Sequence, residues 1–358
     1  MNNKRVEQLR QAMEARQLEA LFITNGVNRQ YVSGFTGSSG YVVITMDKAY
    51  LLTDFRYMTQ AAQQAPDFEV IEHRPQVMET VRDLLAAVGV KRTGFEQDYV
   101  AFSTYKTYEA QAGTIRLVPM SGLVEELRMV KDERELALIQ EAADLADATF
   151  SHILTMLKPG ITEKEIALEM EFFMRRKGAT STSFETIVAS GERSALPHGV
   201  ASDRVLRKDE FVKFDFGAYM NSYVSDLTRT VVLGKPTDKH REIYDIVLEA
   251  QLHALANIRP GMTGSEADAL ARDMIERHGY GDSFGHSTGH GIGMEIHEAP
   301  RLSKLSDTIL KPGMVVTVEP GIYIPGFGGV RIEDDIVITQ DGIKILTHST
   351  KEFITIDA

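Results

Sequence analysis

The nonapeptide LKPGITEKE at residues 157–165 returns as IRPGMTGSE at residues 258–266, an offset of 101. In each copy Pro-Gly ends one helix, threonine opens the next, and a glutamate three residues on completes a capping box. The second helix of each copy stops at a glycine after basic residues, RRKG at Gly178 and ERHG at Gly279, again 101 apart. Basic side chains there complement the helix dipole, and glycine supplies the left-handed cap. Helix signals recurring at one constant spacing predict a duplicated α+β unit, two halves related by a pseudo-twofold axis. Sites often lie between such halves.

The repeat occupies only part of the 358 residues, a length sufficient for two domains. Ahead of it, LEALFIT, YVVITM, AYLLTD and FEVIEH read as strands, and YMTQAAQQA, VMETVRDLLAAVG and FSTYKTYEAQ as helices, with the turn-rich loop GFTGSSG among them. This alternation predicts a mixed α/β domain over residues 1–129, and the boundary falls just before a long amphipathic helix spanning roughly Asp132–Leu157. Residues 130–358 then form the duplicated domain, and the chain as a whole is α+β. A formal net charge of −12 argues against general affinity for nucleic acid or anionic lipid. The absence of cysteine excludes disulfides, thiolate metal sites and cysteine nucleophiles. The charged start, MNNKRVEQLRQ, lacks the apolar core of a signal peptide, and no run of about 18 apolar residues is present, so a cytoplasmic protein without membrane association is expected.

Between Phe214 and Asp226 the chain reads FDFGAYMNSYVSD. Strand-forming residues surround both aspartates, although aspartate is itself a poor strand residue. A turn centred on Met220-Asn221 sets Asp215 directly opposite Asp226, with Cβ atoms roughly 5 Å apart. Like charges so placed repel, which a bound cation would offset. Solvated carboxylates that discourage edge-to-edge strand pairing are the other reading.

Three further stretches carry acid and imidazole. GHSTGHGIGMEIHEAP contains His286, His290 and His297; MVVTVEPGIYIP ends an apolar strand at Glu319. In GGVRIEDDIVIT, Arg331, Glu333 and Asp335 are expected on one face of a strand, with Ile332 and Ile336 on the other. Taken singly, Glu319 also reads as a strand terminus, Glu333-Asp334-Asp335 as a solvated turn, and His290 as a satisfied loop histidine. Taken together, four carboxylates and one imidazole suit two divalent cations about 3.5–4 Å apart that make a nucleophile of water at neutral pH. The oxygen-rich shell favours Mn2+, with Co2+, Fe2+ or Zn2+ also admissible.

The ordered set of Asp-x10-Asp, His in GHGIGMEIHE, Glu in VEPGIY and Glu in VRIEDD resembles the proline-specific metallopeptidases of family M24, which have the creatinase/aminopeptidase or "pita-bread" fold. The resemblance covers the whole chain, FTGSSG and LLTDFRY resembling the creatinase-like N-terminal domain. It implies that Asp215 chelates one metal, that His290 and Glu319 hold the other, and that Asp226 and Glu333 bridge both. Glu319 would also take the proton of the attacking water. His198, in ALPHG, matches a histidine that steadies the substrate and its tetrahedral intermediate. His297, in EIHEAP, matches a second one near the scissile carbonyl or imide nitrogen, and His286 matches a histidine lining the proline pocket. Tyr323 and Arg331 match supporting, substrate-side residues. Arg331 reads equally as an ion pair fixing Glu333 or Asp335, and Tyr323 as plain packing.

The implied reaction is hydrolysis of the bond between an N-terminal residue and proline, a bond whose missing N–H defeats peptidases that read that donor. The implied partners are a proline-containing peptide and a second copy of the chain, in a homodimer whose N-terminal domain limits substrate length. Xaa-Pro aminopeptidase and Xaa-Pro dipeptidase (prolidase) remain alternatives. Methionine aminopeptidases usually lack the long first domain, and creatinase works without metals. A non-hydrolytic peptide-binding pseudo-enzyme is the rival of another class, and filled ligand positions at 215, 226, 290, 319 and 333 argue against it.

Overall fold

The computed structural model describes residues 2–357. They fall into two compact units, Met1–Arg128 and Met129–Ala358. In the first, a six-stranded sheet runs in the order Glu69–Glu72, Ala49–Thr53, Tyr41–Thr45, Ala20–Ile23, Arg92–Glu96, Arg116–Met120. The strand Ala20–Ile23 is buried throughout, antiparallel to Tyr41–Thr45 and parallel to Arg92–Glu96. Two of these strands escape pattern reading. RTGFE offers little alternation, and its Gly94 is needed because a Cβ there would lie 2.8 Å from a Leu18 methyl. RLVPM contains Pro119, which the sheet tolerates because this strand is an edge.

The second unit is built twice over. The helices Glu133–Leu154 and Glu163–Arg176 pack on a sheet ordered Thr355–Ile356, Leu227–Leu233, Glu210–Phe216, Ile187–Ser190. The helices Asp238–Asn257 and Gly264–Arg277 pack on a second sheet ordered Glu298–Leu302, Gly289–Gly291, Val315–Val318, Asp334–Ile338, Ile343–Ile345. Each half has its own apolar core, Phe150, Met170, Val212 and Phe214 in one, Val247, Ala271, Val316 and Ile336 in the other. The repeat explains this symmetry at atomic level. Thr162 with Glu165 and Thr263 with Glu266 form full capping boxes, and Gly178 and Gly279 adopt φ of 112° and 81° past the helix ends. Among the described residues no helix is long and apolar enough to cross a membrane.

Two expectations about strands need correction. The 214–226 hairpin turns at Asn221 and Ser222, whose φ of 51° and 70° mark the positive-φ two-residue loop that matches strand twist. Asp215 therefore faces Thr228, not Asp226. A turn moved by one residue shifts each partner by two, so both aspartates keep a common face and become diagonal neighbours, about 7 Å apart by strand geometry. The stretch GGVRIEDDIVIT is also not one strand. Gly328–Arg331 pairs with Gly321–Ile324, and Asp334–Ile338 pairs with Val315–Val318. Between them Glu333 donates its N–H to Thr228 O, so the chain crosses from one sheet to the other at the residues that reach the cleft.

Candidate functional site

A cavity of about 660 Å3 opens between the halves of the second unit. Asp215 and Asp226, from the hairpin of the first half, enter it beside His286, His290, Glu319, Arg331 and Glu333 of the second, with His198 and His297 on its walls. Tyr323 does not line it; it stands behind, its hydroxyl bonded to both Arg331 Nη1 and His286 Nε2 at 2.8 Å.

The tightest group is Asp226, His290 and Glu333, each offering one ligand-type atom within 4.8 Å of the others. His290 Nδ1 donates to Gly291 O at 3.1 Å, which leaves the Nε2 lone pair aimed inward. That atom lies 3.6 Å from Asp226 Oδ2 and 3.5 Å from Glu319 Oε1, too far for a good hydrogen bond and suited to donors that share a cation. Asp215 stands outside the trio. Its Oδ2 is paired with Arg331 Nη2, which the sequence suggests would hold Glu333 or Asp335 instead. Asp335 faces away from the cleft and accepts the Asp226 N–H at 2.9 Å.

The electrostatics favour a cation. Asp215 Oδ1, Asp226 Oδ1 and Glu333 Oε1 are buried without any hydrogen-bond partner among the described residues. Burial, then the charges of Glu333 and Asp215, pushes the Asp226 carboxyl well above its usual range; burial, then Glu319 and Asp215, does the same to Glu333. Burial lifts Glu319 to about 8 against the pull of Arg331. The imidazoles shift the other way, His290 to about 4 by burial and His286 to about 3 by burial and then by Arg331. Neutral imidazole and carboxyls that would give up their protons to a cation form a donor set fitted to divalent metal.

A stability prediction follows for protein stripped of metal. These carboxyls hold protons in the folded state that the unfolded chain releases at ordinary carboxyl pKa values, so the metal-free fold binds more protons than the unfolded chain. Neutral His286 and His290 work the other way below about 6.5, where the unfolded chain takes up protons that they do not, but the three carboxyls outnumber them, so the Tm should fall as pH rises from 5.5 towards the value near 8 of Glu319. Metal restores the loss, because cations replace the protons. Scanning fluorimetry at pH 5.5 and 8, with and without Mn2+, checks this; a Tm of stripped protein that rises across that interval contradicts it.

Several neighbours of the site carry weaker sequence signals. Thr228 Oγ1 donates to Glu333 Oε2 at 2.5 Å and accepts from Arg331 Nε at 3.0 Å. Lys213 is fully buried two residues before Asp215, and Arg229 is fully buried beside Thr228. Charged residues inside the apolar runs EFVKFDF and LTRTVVL are the available clue to both. Arg301, on the exposed rim of the cavity, has no such mark.

Known proteins share this architecture. The description Metallopeptidase family M24 matches residues 137–340, and Creatinase/Prolidase N-terminal domain matches residues 5–130. An uncharacterized peptidase of Bacillus subtilis is 53% identical over 350 residues, spanning 98% of this chain and 99% of its own. The solved structure of an Xaa-Pro dipeptidase from Bacillus anthracis, 51% identical, aligns with a TM-score of 0.96 over 99% of this chain and 100% of that one. An X-Pro aminopeptidase from Thermotoga maritima, 39% identical, aligns at 0.91 over 97% and 100%. The two-halved "pita-bread" catalytic unit, its acid-lined cleft and these matches lead to one assignment: the chain belongs to metallopeptidase family M24, whose members depend on divalent metal.

Proposed function

We propose that this metallopeptidase hydrolyses the bond between an N-terminal residue and proline, and that dipeptides are its preferred substrates. The convergence of Asp226, His290 and Glu333, with Glu319 3.5 Å from His290, carries the hydrolytic part of the reading. Asp215, Asp226, His290, Glu319 and Glu333 would hold two divalent ions, Mn2+ suiting so oxygen-rich a set. When bound, such ions supply Lewis acidity towards the carbonyl before proline and make water nucleophilic near neutral pH.

The chain's own groups complete the chemistry. Glu319, whose Oε1 lies 3.5 Å from His290 Nε2, would take the proton from the attacking water. His198 and His297, both on the cavity walls, would donate to the oxyanion and to the departing imide nitrogen. Phe184, Ile187, Val200 and Ile296 are apolar residues of the cavity lining and would receive the pyrrolidine ring. The exposed guanidinium of Arg301 would pair with the free carboxylate of a dipeptide, a group that a longer peptide places elsewhere.

With Mn2+ loaded, Ala-Pro should be cleaved with a kcat/KM above that for Ala-Pro-Ala, and Ala-Ala poorly. Arg301→Ala should raise KM for Ala-Pro by about tenfold, the worth of one charge-assisted contact, and leave Ala-Pro-Ala nearly unchanged. Intact Ala-Pro in the presence of fully metal-loaded protein overturns the proposed reaction. Equal losses on both peptides overturn the role given to Arg301, and an Ala-Pro-Ala kcat/KM at or above that for Ala-Pro overturns the dipeptide preference.

A further inference from the structure

His198 reaches the cavity from an irregular segment. The short 3-10 turn Gly191–Ala195 precedes it, and its own ring is exposed without a hydrogen bond among the described residues. With no hydrogen bond to its ring among the described residues, this imidazole takes its position from the backbone that carries it. That backbone is tied down from below. Lys213 Nζ donates to Leu196 O at 2.6 Å and to Pro197 O at 3.3 Å, and Arg331 Nη1 donates to the same Pro197 oxygen at 3.1 Å. The two carbonyls therefore point inward, while the Leu196 side chain is left half exposed. Arg193 closes the segment on its other side by donating to Val200 O at 2.7 Å.

Lys213 is an unusual residue for this place. Its side chain is wholly buried in a strand, behind the cavity wall, with Nζ 4.9 Å from the centre of the Tyr323 ring. A buried lysine is costly unless its donors are used, and here the hydrogen bonds given to it both go to the residues just before His198. Amine or ammonium, it serves equally as donor. The strand that presents Asp215 to the cleft thus also holds, two residues earlier, the segment that presents His198. One rigid element sets both positions, as a site that must place groups to within about half an ångström requires.

We propose that Lys213 is a positioning residue of the hydrolytic site, acting on the reaction through His198 by fixing the Leu196 and Pro197 carbonyls. This deepens the function proposed above and rests on His198 meeting the developing charge. Lys213→Met keeps the length and burial of the side chain and removes its donors. With Ala-Pro as substrate, kcat should fall about tenfold to fiftyfold while KM changes by less than about twofold, the signature of a contact felt mainly in the transition state. Bound Mn2+ should stay at the wild-type level.

The deciding comparison is a double-mutant cycle with His198→Ala. If Lys213 acts through the imidazole, the double variant should be no slower than His198→Ala alone. Multiplying losses, an unchanged kcat in Lys213→Met, or loss of bound Mn2+ with the activity would each overturn the proposal. A His198→Ala variant of full activity would instead remove the reading of His198 on which it stands. Should Lys213→Met not fold, Lys213→Ala with added methylamine provides the same cycle, a filled cavity restoring the donor, and recovery of kcat only when His198 is present is the expected result. Recovery in the absence of His198, or no recovery at all, counts against the proposal.

Discussion

Asp226→Ala is expected to lower kcat/KM on Ala-Pro by at least ~1,000-fold, about 4 kcal/mol of transition-state stabilisation, and to remove most of the bound metal. Asp226 lies in the tight trio with His290 and Glu333, and its Oδ1 is one of three partnerless oxygens in the cleft. Removing it takes a proposed shared ligand from both ions. The same variant should not be less stable than wild type once both are stripped of metal, because the lost carboxyl is buried, repelled by Glu333 and Asp215, and paired with no cation. Emission spectroscopy for metal, turnover, and melting in chelator separate these effects. Wild-type turnover at wild-type metal content in Asp226→Ala would sink the ligand assignment.

Arg229→Met should act in the opposite way, on folding first. The Arg229 guanidinium is 1% exposed and pairs with the fully buried Asp334 at 2.7 Å. It also donates to Ser349 O and Thr350 O, to Thr228 O, and to Glu333 O. Burial alone would raise the Asp334 carboxyl, but Arg229 and Lys351 hold it below the usual range. Breaking one side of a buried pair leaves an undercompensated charge and several carbonyls without donors, at a cost of about 3–5 kcal/mol. For a unit of this size that corresponds to roughly 10 °C in Tm. A Tm within about two degrees of wild type, a shift too small for a pair of that worth, would show that Lys351 and Gln251 suffice for Asp334.

The halves were readable because helix punctuation is local. Pro-Gly, threonine and glutamate at fixed spacing act within one turn, so LKPGITEKE and IRPGMTGSE report their own structure. The hairpin was readable to within one residue, and the error has a physical source. Asn221 and Ser222 adopt positive φ without a glycine to announce it, so the turn centre is ambiguous although the shared face of Asp215 and Asp226 is not. The crossing at Ile332–Glu333 depends on which sheet each side joins, a choice made by distant strands. Arg331 shows the same limit. Its place beside the acids is evident from VRIEDD, but its partner Asp215 comes from the other half. Arg301 is harder still, since an exposed arginine acquires meaning only when a cavity opens next to it.

The segment from Ser349 to Ile356 runs back to the first half, where Val232 pairs with Thr355 and Leu233 with Ile356. During synthesis the 227–233 strand therefore waits for some 120 further residues, on the order of ten seconds of ribosome time, before that border is sealed and Arg229 finds its last acceptors. For that interval the nascent chain carries an open, apolar β-edge, the type of surface on which chains stick to one another. Yield in a cell should then depend on translation speed and on holdase chaperones more steeply than the melting temperature of the finished enzyme would suggest.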